Sequence, residues 1–156
     1  MIFLKVNENK FRFVLKYKTM YPEEICKPMR EDLTSVGFLE MKDHDEVANI
    51  LDKKEGTVLV MVNSVCGCAA GNARPAVKMS TKYLQKPDVF ATVFAGQDIG
   101  ATAKAREYMH PYPPSSPSIA LFKDGALVHF IERHHIEGRP AEMIAENLNQ
   151  AFNQYC

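Results

Sequence analysis

The sequence predicts an α/β domain with a central mixed β-sheet and helices on both of its faces. Segments with helical periodicity alternate with short apolar segments, which is typical of a parallel sheet with crossover helices. Thr57–Asn63 is apolar on both faces, so we expect it to be a central strand covered on both sides. Lys123–Gly125 is a turn sequence between two apolar segments, which predicts a C-terminal hairpin at one side of the sheet.

The elements before the central strand follow from apolar spacing and from capping residues. The first helix is indicated by apolar residues at helical spacing: Ile25, Met29, Leu33 and Val36. Pro28 is expected to kink or break this helix. A short strand over Phe38–Met41 follows, and Asp43 and Asp45 are the candidate caps of a second helix.

The elements after the central strand alternate in the same way and end in a hairpin and a helix. They are a helix over Cys66–Leu84 bent at Pro75, a strand over Val89–Ala95, a helix over Ile99–Met109 capped by Asp98, strands over Ile119–Phe122 and Leu127–Ile131, and a last helix opened by Pro140. Ile144, Leu148 and Phe152 are the predicted inner face of that last helix.

Residues 1–19 differ from the rest of the chain. They alternate loosely between apolar and basic residues, and they are interpreted as a hairpin, a disordered arm or residues upstream of the true start codon. The functional domain is predicted to be residues 20–156. The N-terminus lacks the compact apolar core and cleavage site of a signal peptide, so we expect the cytoplasm as the location.

Composition limits the classes of partner. The 19 basic residues balance the 19 acidic residues, so the net charge predicts neither nucleic acid nor an anionic membrane as a partner. The longest apolar run, at Thr57–Val62, is far shorter than the roughly 20 residues that span a bilayer.

The tripeptide Cys66-Gly67-Cys68 is the strongest functional signal. It lies between the predicted central strand and a predicted helix, which places sulfur at a helix N-terminus. Free backbone N–H groups and the helix dipole favour the thiolate there, and the thiolate is the nucleophile of thiol–disulfide exchange. In a reducing compartment, a close cysteine pair is typical of catalysis or of metal binding.

The spacing of the two cysteines predicts their roles. Residues two apart point to nearly opposite sides of a helix, so Cys66 must lie at or before the cap for a disulfide to form, and Gly67 is expected to supply the backbone freedom. Strain in so small a ring predicts an easily reduced, oxidising pair. Cys66 is the expected attacking thiolate and Cys68 the expected resolving thiol.

Two alternatives remain open for the cysteine pair. One alternative to the catalytic role is that both thiols are inert residues of a core helix. The other is that they bind a soft metal ion, Cu(I) or Zn(II), with His134 and His135 as the candidate further ligands.

Other residues receive structural predictions. Cys26 is expected to be a buried small hydrophobe, and the terminal Cys156 is expected to be exposed by fraying, with a redox role as the alternative. Arg74 is expected to pair with a carboxylate or solvate a helix face, with support of the Cys66 thiolate as the alternative. His129 is predicted to be a structural histidine.

Several motifs together resemble the bacilliredoxins, a branch of the thioredoxin-like proteins. They are Val62–Gly71 around the thiols, Ala73–Ala76, Val93–Asp98, Pro114–Ser118, His129–Ile131 and Ile136–Gly138. The resemblance runs from about Met20 to Cys156, and the segment around the thiols is highly specific.

The resemblance implies a thioredoxin-like fold and a thiol–disulfide oxidoreductase. In that family, the substrate is a protein cysteine capped by bacillithiol, a low-molecular-weight thiol that acts as redox co-substrate, and no bound cofactor is implied. Cys66 would take the cap from S-thiolated cytosolic proteins, and Cys68 or a second small thiol would release it. Ser116 and Pro117 would match the family's cis-proline substrate-binding loop.

Overall fold

The computed structural model describes residues 18–156 of the chain. The predictions for residues 1–19 therefore lie outside the described residues, apart from Lys18 and Thr19. The described helices are α1 (Glu23–Thr34), α2 (His44–Leu51), α3 (Arg74–Ser80), α4 (Ile99–Tyr108), α5 (Arg133–Ile136) and α6 (Ala141–Tyr155). The strands are β1 (Leu39–Glu40), β2 (Thr57–Asn63), β3 (Val89–Phe94), β4 (Ser118–Lys123) and β5 (Ala126–Ile131).

The five strands form one mixed sheet in the order β1-β3-β2-β4-β5. β1 and β2 both run parallel to β3, whereas β4 is antiparallel to β2 and pairs with β5 as a hairpin. Asp124 and Gly125 both have positive φ at the hairpin turn, as a tight turn between twisted strands requires. The predicted parallel core with a C-terminal antiparallel hairpin is confirmed.

β2 is the centre of the hydrophobic core. Leu59 and Met61 face a cluster formed with α1, α3 and α6, and Val60 and Val62 face a second cluster formed with α2 and α4. All four side chains are fully buried, because successive residues of a strand point to opposite faces and both faces are covered. The chain that leaves β2 therefore starts from a rigid support.

The capping predictions at two helices are confirmed. The Asp43 carboxylate accepts a hydrogen bond of 2.9 Å from the Glu46 N–H at the start of α2. Pro140 precedes α6, whose inner face carries the predicted buried residues Ile144, Leu148 and Phe152.

The first helix differs from its prediction. α1 continues through Pro28 without a break, and its buried residues are Cys26, Arg30 and Leu33, whereas Ile25 is half exposed. The apolar spacing is right for Leu33 and Val36, which pack in the core. It missed Arg30, because this inward-facing charge is neutralised by Glu23 of the same helix and by Glu40 and Asp98 from other elements. Cys26 is fully buried, as predicted.

The helix after β2 is shorter than predicted and changes its winding. Helical backbone begins at Gly67, widens into a π-helical turn over Ala69–Ala73 and continues as α3, which ends at Ser80 rather than Leu84. Pro75 has no N–H to donate to the preceding turn and its ring crowds the carbonyl there, and a wider turn accommodates both effects. The predicted irregularity therefore lies just before Pro75.

None of the helices within residues 18–156 has the length and apolar character needed to cross a membrane.

Candidate active site

Cys66 lies where the chain passes from β2 into helical backbone. Its carbonyl accepts hydrogen bonds from the N–H groups of Ala69 (3.0 Å) and Ala70 (3.2 Å), so Cys66 occupies the capping position of the first turn. The N–H groups of Gly67 and Cys68 come before the first of these hydrogen bonds, so they have no partner within the helix, and they raise the positive potential around Cys66. The structure thus places Cys66 where the sequence predicts it.

Cys66 and Cys68 are joined by a disulfide, with their Cα atoms 5.5 Å apart. The two thiols are therefore within exchange distance of each other. Gly67 between them is exposed and does not have a left-handed φ, and a Cβ added there would meet no atom within 4 Å. The prediction that the small ring requires the freedom of glycine is wrong, because this conformation accepts any L residue. Gly67 leaves open space beside the disulfide.

A groove of about 280 Å³ opens beside Cys66. Its walls come from the start of the described chain, from the loops after β2 and β3, from α4 and from the segments around β4 and β5. The residues that line it are Met20, Tyr21, Ser64, Val65, Cys66, Ala95, Gly96, Arg106, Ser116 and Arg133. Cys68 is not among them, so the groove distinguishes the two cysteines.

The proline-rich loop before β4 forms one wall of this groove. The Ser116–Pro117 peptide bond is cis, Pro117 is buried, and Ser116 lines the same groove as Cys66. Arg133 donates from Nη1 to the Ser116 carbonyl at 3.2 Å. The structure thus brings Ser116 and Cys66 together, and Arg133, which the sequence analysis did not single out, holds the loop.

The opposite wall is formed by Met20 and Tyr21 packed on the loop after β3. The Met20 N–H donates to the Gly96 carbonyl at 2.8 Å, and the Tyr21 N–H donates to Oε1 of Gln97 at 2.9 Å. Gly96 has a φ of +84°, and a Cβ there would lie 3.3 Å from Met20. Glycine is therefore required at position 96 for this wall to close.

Arg30 supports that wall from behind. Arg30 is 8% exposed, and its guanidinium donates to Glu23 at 2.7 Å and to both carboxylate oxygens of Asp98 at 2.7 and 3.0 Å. Burial alone would lower the pKa of Arg30, but the hydrogen bonds to Asp98 and Glu23 outweigh it and raise that pKa. The predicted capping role of Asp98 is wrong for its side chain, because Arg30 binds the carboxylate instead.

Arg74 fixes the segment between β2 and Cys66. It is 4% exposed and donates to the Asp32 carboxylate at 3.2 Å, to Oδ1 of Asn63 at 3.1 Å and to the Ser64 carbonyl at 3.0 Å. Burial lowers the pKa of Arg74. The predicted carboxylate pairing is confirmed, and Arg74 does not line the groove, so its contact with the site passes through the backbone of Ser64.

Two residues of the groove carry buried polar atoms without partners. Within residues 18–156, three buried side-chain atoms lack a hydrogen-bond partner, namely Ser64 Oγ, Thr102 Oγ1 and Arg106 Nε. Ser64 and Arg106 line the groove. Burial lowers the pKa of Arg106. The sequence analysis missed Arg106, because its position in the linear sequence gives no sign that α4 turns it towards Cys66.

The other cysteines lie away from the groove. Cys156 is half-buried beside Thr57, at the opposite end of β2, roughly 20 Å from Cys66 along the strand. Burial raises the pKa of both Cys156 and Cys26. The fraying predicted for Cys156 is wrong, because its neighbour Tyr155 ends α6 against the core and Cys156 packs there too.

The histidines do not complete a cysteine metal site. Glu132, His134 and His135 place one ligand atom each within 4.8 Å of one another, and this group includes neither Cys66 nor Cys68. His134 and His135 lie on α5, a short helix that the sequence did not predict. His129 is half-buried, with Nε2 2.7 Å from Oδ1 of Asn147.

Comparison with solved structures defines the class of protein. A mutant thioredoxin from Halobacterium salinarum aligns with a TM-score of 0.54 at 17% identity, covering 77% of this chain and 91% of that one. Thioredoxin f2 from Chlamydomonas reinhardtii aligns with a TM-score of 0.52 at 18% identity, covering 76% and 95%. The chain has the thioredoxin fold, as the resemblance implied.

Sequence comparison then gives the family. The family model described as "Disulphide isomerase" matches residues 21–156. A bacilliredoxin from Cytophaga hutchinsonii is 53% identical, covering 86% of this chain and 99% of its own length. A bacilliredoxin from Halalkalibacterium halodurans is 52% identical, covering 87% and 94%. The chain belongs to the bacilliredoxin family and is a thiol–disulfide oxidoreductase.

Proposed function

We propose that this protein removes a low-molecular-weight thiol, bacillithiol by analogy with the name of its relatives, from S-thiolated proteins of the cytoplasm. The observation that carries the proposal is the asymmetry of the cysteine pair. Cys66 lines the groove beside Ser116, whereas Cys68 does not line it and yet is within disulfide distance of Cys66. An attacking thiol needs access to the substrate, and a resolving thiol needs access only to the attacking sulfur.

The reaction takes place in two exchanges. The Cys66 thiolate attacks the cap sulfur of the protein–cap disulfide, and the substrate cysteine leaves as a thiolate. The Cys68 thiolate then attacks Cys66 Sγ and expels the cap as a thiolate, which leaves the Cys66–Cys68 disulfide. The mixed disulfide gains two electrons and the cysteine pair loses them. Release of the cap by a second small thiol is the other route for the second exchange.

The surroundings of Cys66 support the first exchange. The capping position favours its thiolate, because the N–H groups at the start of the helix that have no intrahelical partner stabilise negative charge placed there. The backbone of Ser116, next to Pro117, offers hydrogen-bonding groups for an incoming extended chain, as the cis-proline loop does in the family that the chain resembles. Exposed Gly67 leaves room for that chain to approach the sulfur.

Trapping the intermediate tests the proposal. Reduced Cys68→Ala protein is mixed with a single-cysteine protein capped with bacillithiol, and in parallel with one capped with glutathione. We expect intact-mass spectrometry to find the cap on Cys66, retained because no resolving thiol is present. The matched control, Cys66→Ala, should acquire no cap. A Cys66→Ala protein that still removes the cap contradicts the mechanism.

The metal-binding alternative makes a different prediction. A cysteine metal module would be purified with stoichiometric zinc or copper that Cys68→Ala loses. Elemental analysis of freshly reduced wild-type and Cys68→Ala protein distinguishes this outcome from the enzyme.

A further inference from the structure

The groove beside Cys66 carries positive charge that none of its lining residues neutralises. Arg106 and Arg133 are the charged side chains that line it, and the groove residues include no carboxylate. Arg133 has partners, namely the Ser116 carbonyl at 3.2 Å and Glu137 at 3.7 Å. Nε of Arg106 is buried and has no hydrogen-bond partner among residues 18–156, and burial lowers the pKa of its guanidinium with no charged neighbour to offset that effect.

A guanidinium without a counter-charge is costly away from water. Buried charges in proteins are normally paired, because a buried donor without a partner has lost its hydrogen bonds to water and gains none in return. Arg30 in the same molecule follows that rule with three ligating carboxylates, from Glu23, Glu40 and Asp98. Arg106 is half-buried, but its Nε is buried next to the proposed nucleophile and has no partner among residues 18–156. Ser64 lies there too, 7% exposed, and its hydroxyl also lacks a partner.

We propose that Arg106, assisted by Ser64, binds a carboxylate of the small thiol while that thiol is attached to Cys66. This inference rests on the proposed function and specifies its substrate class as thiols that carry a carboxylate. Attack on the cap sulfur transfers the cap to Cys66, so the cap must lie in the groove that Cys66 lines. A volume of about 280 Å³ suits one small molecule, and its free positive charge complements an anion.

Transfer of the cap balances, because the cysteine pair supplies the two electrons that reduce the substrate–cap disulfide. The Cys66–cap disulfide forms as the substrate–cap disulfide breaks, and the Cys68 thiolate later replaces the cap on Cys66. Arg106 takes no proton and no electron. It positions the cap, and a bidentate guanidinium–carboxylate pair would fix the orientation of the cap sulfur towards Cys66.

A pair of isosteric caps tests the inference. One single-cysteine peptide is capped either with 3-mercaptopropionate or with its uncharged amide, 3-mercaptopropionamide. The rate of cap transfer to fully reduced wild-type protein is measured in a single turnover by quenched mass spectrometry. We expect the carboxylate cap to transfer about 10- to 100-fold faster, the range for a hydrogen bond to a charged group.

Variants assign that preference to Arg106. Arg106→Gln should reduce the ratio of the two rate constants to near one, and Ser64→Ala should reduce it partly. Lys104→Gln removes the same charge from the same helix at a residue that pairs with Glu107 and does not line the groove, so it should keep the ratio. Thermal melting checks folding, and the wild-type ratio decides the question if a variant does not fold.

The outcomes separate this inference from the proposed function. Equal rates for both caps in wild-type protein overturn the carboxylate subsite and leave cap removal intact. The carboxylate subsite is also overturned if Arg106→Gln leaves the ratio of the two rate constants unchanged. If that variant slows the transfer of both caps equally, Arg106 acts on the Cys66 thiolate instead. If reduced wild-type protein removes neither cap from the peptide and none from a capped protein, the proposed function fails and the subsite fails with it.

Discussion

The two ends of β2 each lie next to a cysteine, and the two cysteines have opposite surroundings. At the carboxyl end, Cys66 lines a groove with unpaired positive charge and caps the first turn of a helix. At the amino end, Cys156 packs beside Thr57 against the core, where burial raises the pKa of its thiol. The sulfur of Cys66 is reached from the groove at the start of a helix, whereas Cys156 carries a thiol whose pKa burial raises.

The difference comes from what the backbone does at each end of the strand. After Asn63 the chain turns into a helix, which leaves N–H groups free at the carboxyl edge of the sheet, the edge where open α/β folds bind ligands. At Thr57 the Asp88 carboxylate accepts from both the N–H and the hydroxyl, at 2.8 and 3.2 Å. The polar groups at this end are therefore satisfied within the protein.

The largest expected effect separates the two cysteines by activity. Cys66→Ala should reduce removal of a thiol cap to the uncatalysed rate, because the attacking sulfur is lost. Cys156→Ala should retain wild-type activity, because its thiol is roughly 20 Å away along β2. Multiple-turnover assays with a capped protein and a small-thiol reductant measure both variants. Comparable loss of activity in the two variants would contradict the comparison.

The next effect concerns the support of the carboxyl end. Arg30→Met should lower the free energy of unfolding by about 3 kcal/mol, because it leaves the Asp98 carboxylate, whose side chain is only 11% exposed, without its partner. Urea denaturation at pH 7 measures the change. Arg30→Lys, which keeps the charge but loses the two-pronged contact, is the matched control and should lose less.

A loss below about 1 kcal/mol for Arg30→Met would identify the cluster as a weak surface network. The sign of the pH dependence gives a second check. Hydrogen bonding to Arg30 outweighs burial and lowers the pKa of Glu23, so the stability from this contact is present above the ordinary glutamate pKa. It should be lost in acid, as the pH falls through the lowered pKa.

The smallest effect is a difference in alkylation rate. In reduced protein at pH 7.5, iodoacetamide should modify Cys66 about tenfold or more faster than Cys156, because only the thiolate reacts. Labelling of Cys156 should be slower than in unfolded protein and should keep rising with pH, because burial raises its pKa. Peptide mass spectrometry over time measures both rates, and equal rates would remove the contrast between the two ends.

The sequence predicted the elements that depend on local chemistry. Asp43 caps α2, β2 spans Thr57–Asn63, and α6 buries Ile144, Leu148 and Phe152, because capping and periodicity are properties of neighbouring residues. It did not predict Arg30 on the inward face of α1, because the Asp98 carboxylate that pairs with Arg30 there is distant in sequence. It failed at Asp98 for the same reason.

The sequence by itself determined the thiol pair and its position at the start of a helix, because these depend on a short segment of the chain. It also determined the family, because the motifs that carry the resemblance can be read directly along the chain. Only the tertiary structure decided that Cys66 and not Cys68 lines the groove, and that Arg106 enters it without a counter-charge. Whether a charge is paired depends on which distant residues the fold brings close, and the linear spacing of residues carries no information about that.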